Sequence, residues 1–184
     1  MSTACCNGIV HLNPYGADPV RLAVDLANDP PRSVAELARR CQAAGVVMDM
    51  PVRDDDLPVT RRLIEEWSEI VDAASANERA GLLNRMLASA STYPRLTDHA
   101  DGHWHLHYRD DGVSLSAVLR ALVSVGTALH LTNRGMDRLG RCALDGCRTI
   151  YADLSRNGRQ RYCSPPCANR DAVRRHRARS SPKR

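Results

Sequence analysis

The chain has 184 residues, 43% of them hydrophobic, which is enough for one medium-sized domain and one small domain. Only 4% of the residues are aromatic and none is phenylalanine, so the core must consist mainly of Leu, Val, Ala and Ile. No early positive charge is followed by a continuous apolar run, which argues against a signal peptide. No stretch has the roughly 18 uninterrupted apolar residues of a membrane span, so we expect a cytoplasmic protein with no membrane partner.

Four amphipathic helices are predicted in the first half of the chain. Two capping boxes, Ser33-x-x-Glu36 and Ser75-x-x-Glu78, mark helix starts, because each serine hydroxyl can accept a hydrogen bond from the third helical N–H. Three consecutive acids at 54–56 precede another helix, and we interpret them as favourable charges at its N-terminus rather than as a metal site. The predicted helices cover about residues 19–28, 33–44, 57–73 and 75–87.

Residues 103–108 alternate between histidine and apolar or aromatic residues, as on a half-exposed strand. On such a strand His103, His105 and His107 share one face. Neutral imidazoles at this spacing can bind a metal ion, or they can line a polar pocket for an anionic or aromatic ligand. Three interpretations therefore remain open: an ordinary polar strand face, a ligand pocket and a catalytic metal site. A long apolar helix is predicted to follow over about residues 114–132.

The composition changes near residue 138, where we predict a domain boundary. Residues 139–184 contain twelve Lys or Arg and three acidic residues, a net charge of +9, whereas residues 1–138 carry −4. Such asymmetry indicates a polyanionic partner for the basic end. The chain has seven cysteines, an odd number, and four of them cluster in the basic segment. This usage favours a metal site in a reducing compartment over disulfides.

The four clustered cysteines have the spacing C-x4-C-x15-C-x3-C and are Cys142, Cys147, Cys163 and Cys167. Two close thiol pairs separated by a hairpin-sized insert can hold one tetrahedral zinc ion. We predict that residues 149–151 and 159–162 form the hairpin, because Asn157-Gly158 is a strong turn signal. A helix is predicted to begin near Pro165, which gives a treble-clef-like order. A module of some forty residues cannot bury a sufficient core, so metal binding should supply its folding energy.

The helix after the last cysteine is rich in arginine and lacks a convincing apolar stripe. Arg170, Arg174 and Arg177 follow one another at spacings of four and three residues, so they share a helical face. Guanidinium groups make bidentate contacts with phosphates and with guanine edges, which predicts binding to double-stranded DNA. The predicted DNA contacts are Asn169, Arg170, Arg174, Arg175, Arg177 and Arg179. The alternative interpretation is a solvated helix beside an acidic protein partner.

The residues from Cys142 to Arg177 resemble the CGNR zinc finger, above all in Tyr-Ala-Asp-Leu-Ser-Arg-Asn at 151–157 and Arg-Tyr-Cys-Ser-x-x-Cys-x-Asn-Arg at 161–170. Upstream stretches such as Ala-Val-Asp-Leu at 23–26 and His-Leu-His-Tyr at 105–108 are similar to the ABATE domain, which precedes the finger in that family. One departure is Ala168, since the naming motif Cys-Gly-Asn-Arg reads Cys-Ala-Asn-Arg here, and alanine suits a helix at least as well as glycine. The resemblance implies a DNA-binding role in a largely bacterial family of stress-induced transcriptional regulators.

We therefore predict a mainly α (α+β) fold: an ABATE-like helical domain with a short strand pair over residues 1–138, and a treble-clef-like zinc finger over 139–184. The predicted function is that of a transcriptional regulator, not an enzyme, with structural zinc and an N-terminal domain that senses a small-molecule effector or forms a homodimer. Asp153, Ser155 and Arg156 are expected to brace the finger rather than contact bases. Two alternatives stay open: a metal-dependent enzyme that uses the three strand histidines, and a protein-interaction module in which zinc is only a staple.

Overall fold

The computed structural model describes residues 16–90, 92–97 and 104–180. These residues form six α-helices and two antiparallel strand pairs, so the predicted mainly α fold is confirmed. The helices are α1 (Ala17–Asn28), α2 (Val34–Ala43), α3 (Asp56–Asp72), α4 (Ala76–Ala90), α5 (Leu115–Arg134) and α6 (Pro165–Ser180). The strands are β1 (Arg95–Thr97), β2 (His105–His107), β3 (Leu139–Arg141) and β4 (Ile150–Ala152).

Helix α5 is the centre of the helical body, which we define as α1 to α5 with the β1–β2 pair. It packs against α1, α3 and α4, and its Leu119 is fully buried. Trp67 of α3 is also fully buried, and its indole N–H donates to the Thr127 hydroxyl of α5 at 2.9 Å. Among the described residues α5 is one helix long and apolar enough to cross a membrane by length and composition, yet 67% of its most apolar stretch is buried inside the fold. Such burial is typical of a core helix.

The first turn of α1 approaches α5 closely because two glycines meet there. Gly16 has a φ of 63°, and a Cβ at this position would lie 1.9 Å from the carbonyl oxygen of Gly126. A Cβ at Gly126 would in turn lie 2.5 Å from the Cβ of Pro19. Only residues without a side chain allow this backbone contact.

Both predicted capping boxes are confirmed. The Ser33 hydroxyl accepts from the Glu36 N–H at 3.2 Å, and the Ser75 hydroxyl accepts from the Glu78 N–H at 3.1 Å. Each glutamate reaches back to the N–H of the residue before the serine, so two otherwise orphaned donors are bonded at each helix start.

Asp56, the last of the three consecutive acids, is a helix-start carboxylate, as predicted, but it serves two helices. It is fully buried and accepts from the N–H of Arg53 and from the N–H of Ser116 in the first turn of α5, both at 2.8 Å. Burial alone would raise the pKa of Asp56, but these hydrogen bonds outweigh it and hold the pKa below its usual value. The carboxylate therefore joins the start of α3 to the start of α5.

The predicted hairpin between residues 149–151 and 159–162 is wrong. Strand β4 pairs instead with β3, and residues 159–162 are not a strand. The cause is the buried carboxylate of Asp153, which accepts from the N–H of Ser155 at 2.9 Å and from the N–H of Gln160 at 3.0 Å. These hydrogen bonds bend the segment after β4 around the carboxylate. The N–H groups of that segment are therefore not free to form the regular hydrogen bonds of an antiparallel strand pair.

The last part of the chain packs directly on the helical body. Leu139 and Ile150, one from each strand of the β3–β4 pair, are buried in the same apolar cluster as the body's helices. The packing is therefore continuous across residue 138, where composition places a domain boundary, and the division into two domains stays a prediction.

Candidate metal centre and nucleic-acid interface

The first cysteine pair lies in the connection between β3 and β4. The N–H of Cys142 donates to the carbonyl oxygen of Thr149 at 2.9 Å, which extends the strand pairing by one bond. The N–H of Cys147 donates to the carbonyl oxygen of Leu144, and Gly146 has a φ of 78°, so the chain turns tightly between the two thiols. This turn brings both sulfur atoms to one side of the connection, as the Asp145-Gly146 pair predicts.

The second pair lies at the start of α6. Cys163 precedes the helix and Cys167 lies in its first turn, and their sulfur atoms are 3.6 Å apart. The Cys147 and Cys163 sulfur atoms are 3.9 Å apart, and all four sulfurs lie within 4.8 Å of one another. A tetrahedral ion with Zn–S bonds of about 2.3 Å requires sulfur atoms about 3.8 Å apart. The cluster therefore has the spacing and donor chemistry of a metal site with four cysteine ligands.

Without a bound cation, Cys147 and Cys163 differ in acidity. Hydrogen bonding with Thr149 lowers the pKa of the Cys147 thiol to about 6, whereas burial raises the pKa of the Cys163 thiol to about 11. A divalent cation among the sulfurs would favour the thiolate at every position and remove this difference.

Asp153 braces the loop between the two cysteine pairs. Besides the two N–H groups, it accepts from the Ser155 hydroxyl at 2.5 Å and lies 3.5 Å from the Arg138 guanidinium. Burial opposes ionisation, but the hydrogen bonds hold the pKa of Asp153 below its usual value. The bracing role expected for Asp153 and Ser155 is confirmed. Arg156 does not share it, because its side chain is exposed and forms no hydrogen bond or ion pair with the described residues.

A second buried carboxylate fixes α6 against the metal centre. Asp171 is 5% exposed and accepts from the Tyr162 hydroxyl at 2.6 Å, and this bond lowers the pKa of Asp171. Arg174 donates to Asp171 at 3.0 Å and to Asp145 of the first turn at 2.5 Å. Arg175 lies 2.9 Å from Asp171. Two of the five arginines that were expected to contact DNA, Arg174 and Arg175, are therefore ion-paired within the finger.

A solvent-open face of α6 begins at Arg174, and we call it the outer face: Asn169, Arg170, Val173, Arg174 and Arg177. Asn169 and Arg170 are exposed, and no carboxylate of the described residues lies within ion-pair distance of Arg170. Val173 is 50% exposed and lies among these polar side chains. The sequence analysis did not identify Val173 as part of this face.

Four further arginines lie between the two cysteine pairs in the sequence. Arg148, Arg156, Arg159 and Arg161 are exposed, and none of them forms an ion pair with a described carboxylate. The net charge of residues 139–184 predicted an excess of basic over acidic residues. The spacing of the arginines in the sequence could not show which of them form ion pairs.

The histidine site is only partly within the described structure. His103 lies outside the described residues, and of His105 only the backbone position on β2 is described. His107 lies opposite Arg95 in the strand pair, and its Nδ1 is 3.9 Å from a carboxylate oxygen of Asp111. Within the described part of the chain, the group suited to a metal ion is the four cysteines.

Polar contacts join the helical body to the finger and to the segment that leads into it, and sequence patterns gave no sign of them. The Asn28 side chain, at the end of α1, donates to the carbonyl oxygen of Ile150 at 2.9 Å and accepts from its N–H at 2.8 Å. Arg141 of β3 forms a bidentate pair with Asp72 at 2.6 and 2.7 Å. Arg79 donates to carbonyl oxygens of Ile70 and Val71 at the end of α3 and to that of Met136.

Comparison with known families agrees with this architecture. The model of the CGNR zinc finger matches residues 138–180, the segment that carries the four cysteines and α6. The model of the ABATE domain, whose description reads "Putative stress-induced transcription regulator", matches residues 20–131. The search of curated proteins gave no match. Because the ABATE match covers more than half of the chain, this protein belongs to the ABATE family and carries a CGNR zinc finger at its C-terminal end.

Proposed function

We propose that this protein is a DNA-binding transcriptional regulator whose α6 helix contacts the duplex and whose four cysteines hold one structural zinc ion. The observation that carries the proposal is the outer face of α6, where arginines and Asn169 stand exposed directly beside the four-thiol cluster. The family description, that of a transcription regulator, supports the same function.

Zinc would be held by Cys142, Cys147, Cys163 and Cys167, and its role would be structural. Four thiolates complete a tetrahedral shell and leave no open position for substrate or water. The ion would connect the turn after β3 to the first turn of α6, and so it would fix the direction in which the outer face points.

The arginines of α6 divide into two groups with different proposed roles. Arg170 and Arg179 are exposed and lie outside the ion pairs of the described residues, so both are suited to phosphates or guanine edges. Arg174 and Arg175 are tied to Asp145 and Asp171, so each must share its charge between the finger and the duplex. Arg177, at the end of the outer face, and Asn169 complete the proposed contact set, and Val173 is placed to meet a thymine methyl group.

The test is duplex binding by the zinc-loaded full-length protein, first to a sequence selected from a random pool and then across a salt series. If about six phosphates are neutralised, log affinity should fall with log salt with a slope of roughly −5. Arg170→Ala should weaken binding and reduce that slope by about 1, while stability stays within about 0.5 kcal/mol. The matched control is Arg62→Ala, an exposed arginine on α3 that lies outside the ion pairs of the described residues.

Salt-independent binding, or an equal loss in Arg62→Ala and Arg170→Ala, would contradict the proposal and favour a protein-interaction module. Arg174→Ala is a poorer probe because it also removes two ion pairs within the finger, so its metal content and stability must be measured alongside.

A metal count separates the regulator from the metal-dependent enzyme. We expect one zinc per chain, lost in Cys163→Ser. A second ion that is lost in His105→Ala would support catalytic chemistry at His103, His105 and His107 and would overturn the prediction that the protein is not an enzyme.

A cytoplasmic location and a homodimer complete the proposal. A single small finger reads few base pairs, so two fingers on adjacent half-sites would give the selectivity that one lacks. Light scattering of the zinc-loaded protein, free and on its selected duplex, measures the number of chains in each state.

A further inference from the structure

A cavity of about 340 Å³ opens between the end of α1, the α1–α2 connection and α3. Its apolar wall comes from Leu26 and Ala27 of α1, from Pro30 and Pro31, and from Ile64 of α3. This volume is at the lower end of the range for small-molecule sites, and mostly apolar walls with few polar groups are typical of them.

Thr60 supplies an unpartnered polar group at the cavity wall. It is 1% exposed, and its hydroxyl has no hydrogen-bond partner. A buried hydroxyl without a partner is costly, and the usual relief for a helical threonine, a bond to a carbonyl one turn earlier, is not made here. A ligand with one hydrogen-bonding group would reduce this cost.

The remaining polar residues of the cavity define the charge of its ligand. Arg61 and Glu65 are exposed, one turn apart on α3, and together they contribute no net charge. The Arg61 guanidinium already donates to the carbonyl oxygen of Pro31 at 2.8 Å, and the Ser68 hydroxyl donates to that of Ile64. A charged ligand would gain little at such a rim, whereas an uncharged apolar molecule would fill the cavity without leaving a charge unpaired.

We propose that this cavity is a binding site for a small, uncharged, mainly apolar molecule that carries one hydrogen-bond donor for the Thr60 hydroxyl. The site goes beyond the proposed DNA contact and does not depend on it, because its walls belong entirely to the helical body.

The position of the site connects it with the finger. Leu26 and Ala27 line the cavity, and the next residue, Asn28, holds both backbone groups of Ile150. A ligand that packs against the last turn of α1 therefore acts on the element that carries the finger's anchor. We expect the amide resonance of Ile150 to shift when the site is filled.

The experiment titrates the zinc-loaded full-length protein with indole, and in parallel with indene, which has the same shape but no N–H. Calorimetry measures affinity, and amide NMR follows Ile150. We expect indole to bind more tightly than indene. Thr60→Val should weaken indole binding about fivefold, leave indene binding unchanged and leave the empty protein as stable or more stable.

A second variant blocks the cavity. Ala27→Trp places an indole ring in the site and should weaken the binding of added indole more than about tenfold, while Ala88→Trp, at an exposed position of α4, should not. Helix content and zinc content of each variant establish that it is folded. Saturable binding that both Ala27→Trp and Thr60→Val leave unchanged would overturn the proposal, and so would the failure of indole and indene to bind the wild type at millimolar concentration. Neither outcome would bear on DNA binding, which the salt series tests separately.

Discussion

The helical body and the finger, residues 139–180, are stabilised by different interactions. The body buries large apolar side chains such as Trp67 and Leu119 between its helices. The described part of the finger buries two carboxylates, Asp153 and Asp171, and the thiols of Cys142 and Cys167. A segment of this size with so few apolar side chains cannot fold by burial alone. The body therefore depends on the hydrophobic effect, and the finger depends on hydrogen-bonded acids and on the proposed metal.

The finger nevertheless has a second support, since its two buried aliphatic residues belong to the body's core. Leu139 and Ile150 enter that cluster, and Asn28 and Asp72 bond the strands that carry them. The strand pair is thus held by the body, while α6 and the cysteine turns have no comparable apolar anchor among the described residues. We infer that loss of the metal should loosen α6 more than it loosens β3 and β4.

The largest expected effect is that of metal removal. Structural zinc contributes about 10–16 kcal/mol in isolated fingers, so a strong chelator or Cys163→Ser should abolish amide protection in α6 and leave the body's helices protected. Hydrogen exchange with mass spectrometry resolves the two regions. Cys41→Ala is the matched control, since this buried thiol of the body lies outside the cluster and its loss should not change the zinc content. Full amide protection of α6 in the presence of the chelator would contradict the inference that the finger depends on the metal.

Arg79→Ala should have the next largest effect, because the guanidinium bonds the end of α3 to Met136 at the approach to the finger. Its removal orphans several buried carbonyl groups, and we expect a loss of about 3 kcal/mol in the free energy of unfolding. Urea denaturation measures this loss. Arg85→Ala serves as the control, because Arg85 is exposed and, among the described contacts, bonds only its own helix. If both variants lost the same free energy of unfolding, the hydrogen bonds of Arg79 would contribute nothing to stability.

Asn28→Ala tests whether the body supports the finger. It removes two hydrogen bonds to Ile150 and should cost about 1–2 kcal/mol, most visibly as reduced amide protection in β3 and β4 with the zinc content unchanged. Asn84→Ala, on the exposed side of α4, is the control. If β3 and β4 kept their protection, the finger would be independent of the body.

The smallest expected effect is on the pH dependence of stability, and it concerns the helical body alone. The pKa of Asp56 lies below that of an unfolded aspartate, so its carboxylate stabilises the fold above about pH 4, and this contribution is lost as the pH falls through the folded pKa. Asp56→Asn should therefore reduce the free energy of unfolding at pH 7 and make stability depend less on pH in the acidic range. Asp54→Asn, at an exposed position, should leave the wild-type profile unchanged. Denaturation midpoints between pH 7 and pH 3 distinguish the two.

Short-range patterns predicted much of this molecule. The capping boxes, the amphipathic helices and the four cysteines depend on side chains within a few turns of one another, so spacing alone identifies them. The order of the metal ligands and the start of α6 followed for the same reason. The strand pairing did not, because the hairpin signal at Asn157-Gly158 was outweighed by Asp153, which draws the N–H groups of Ser155 and Gln160 to its own carboxylate.

The sequence by itself therefore determined the helices, the candidate metal ligands and the excess of positive charge in the finger. Only the tertiary structure decided which of the arginines on α6 form ion pairs, that Asp56 joins two helices 60 residues apart, and that Asn28 holds Ile150 across 122 residues. The physical reason is that periodicity records which side of an element faces the core but not which distant element lies there. The partners of buried polar groups, and the cavity at Thr60, arise only when those elements pack.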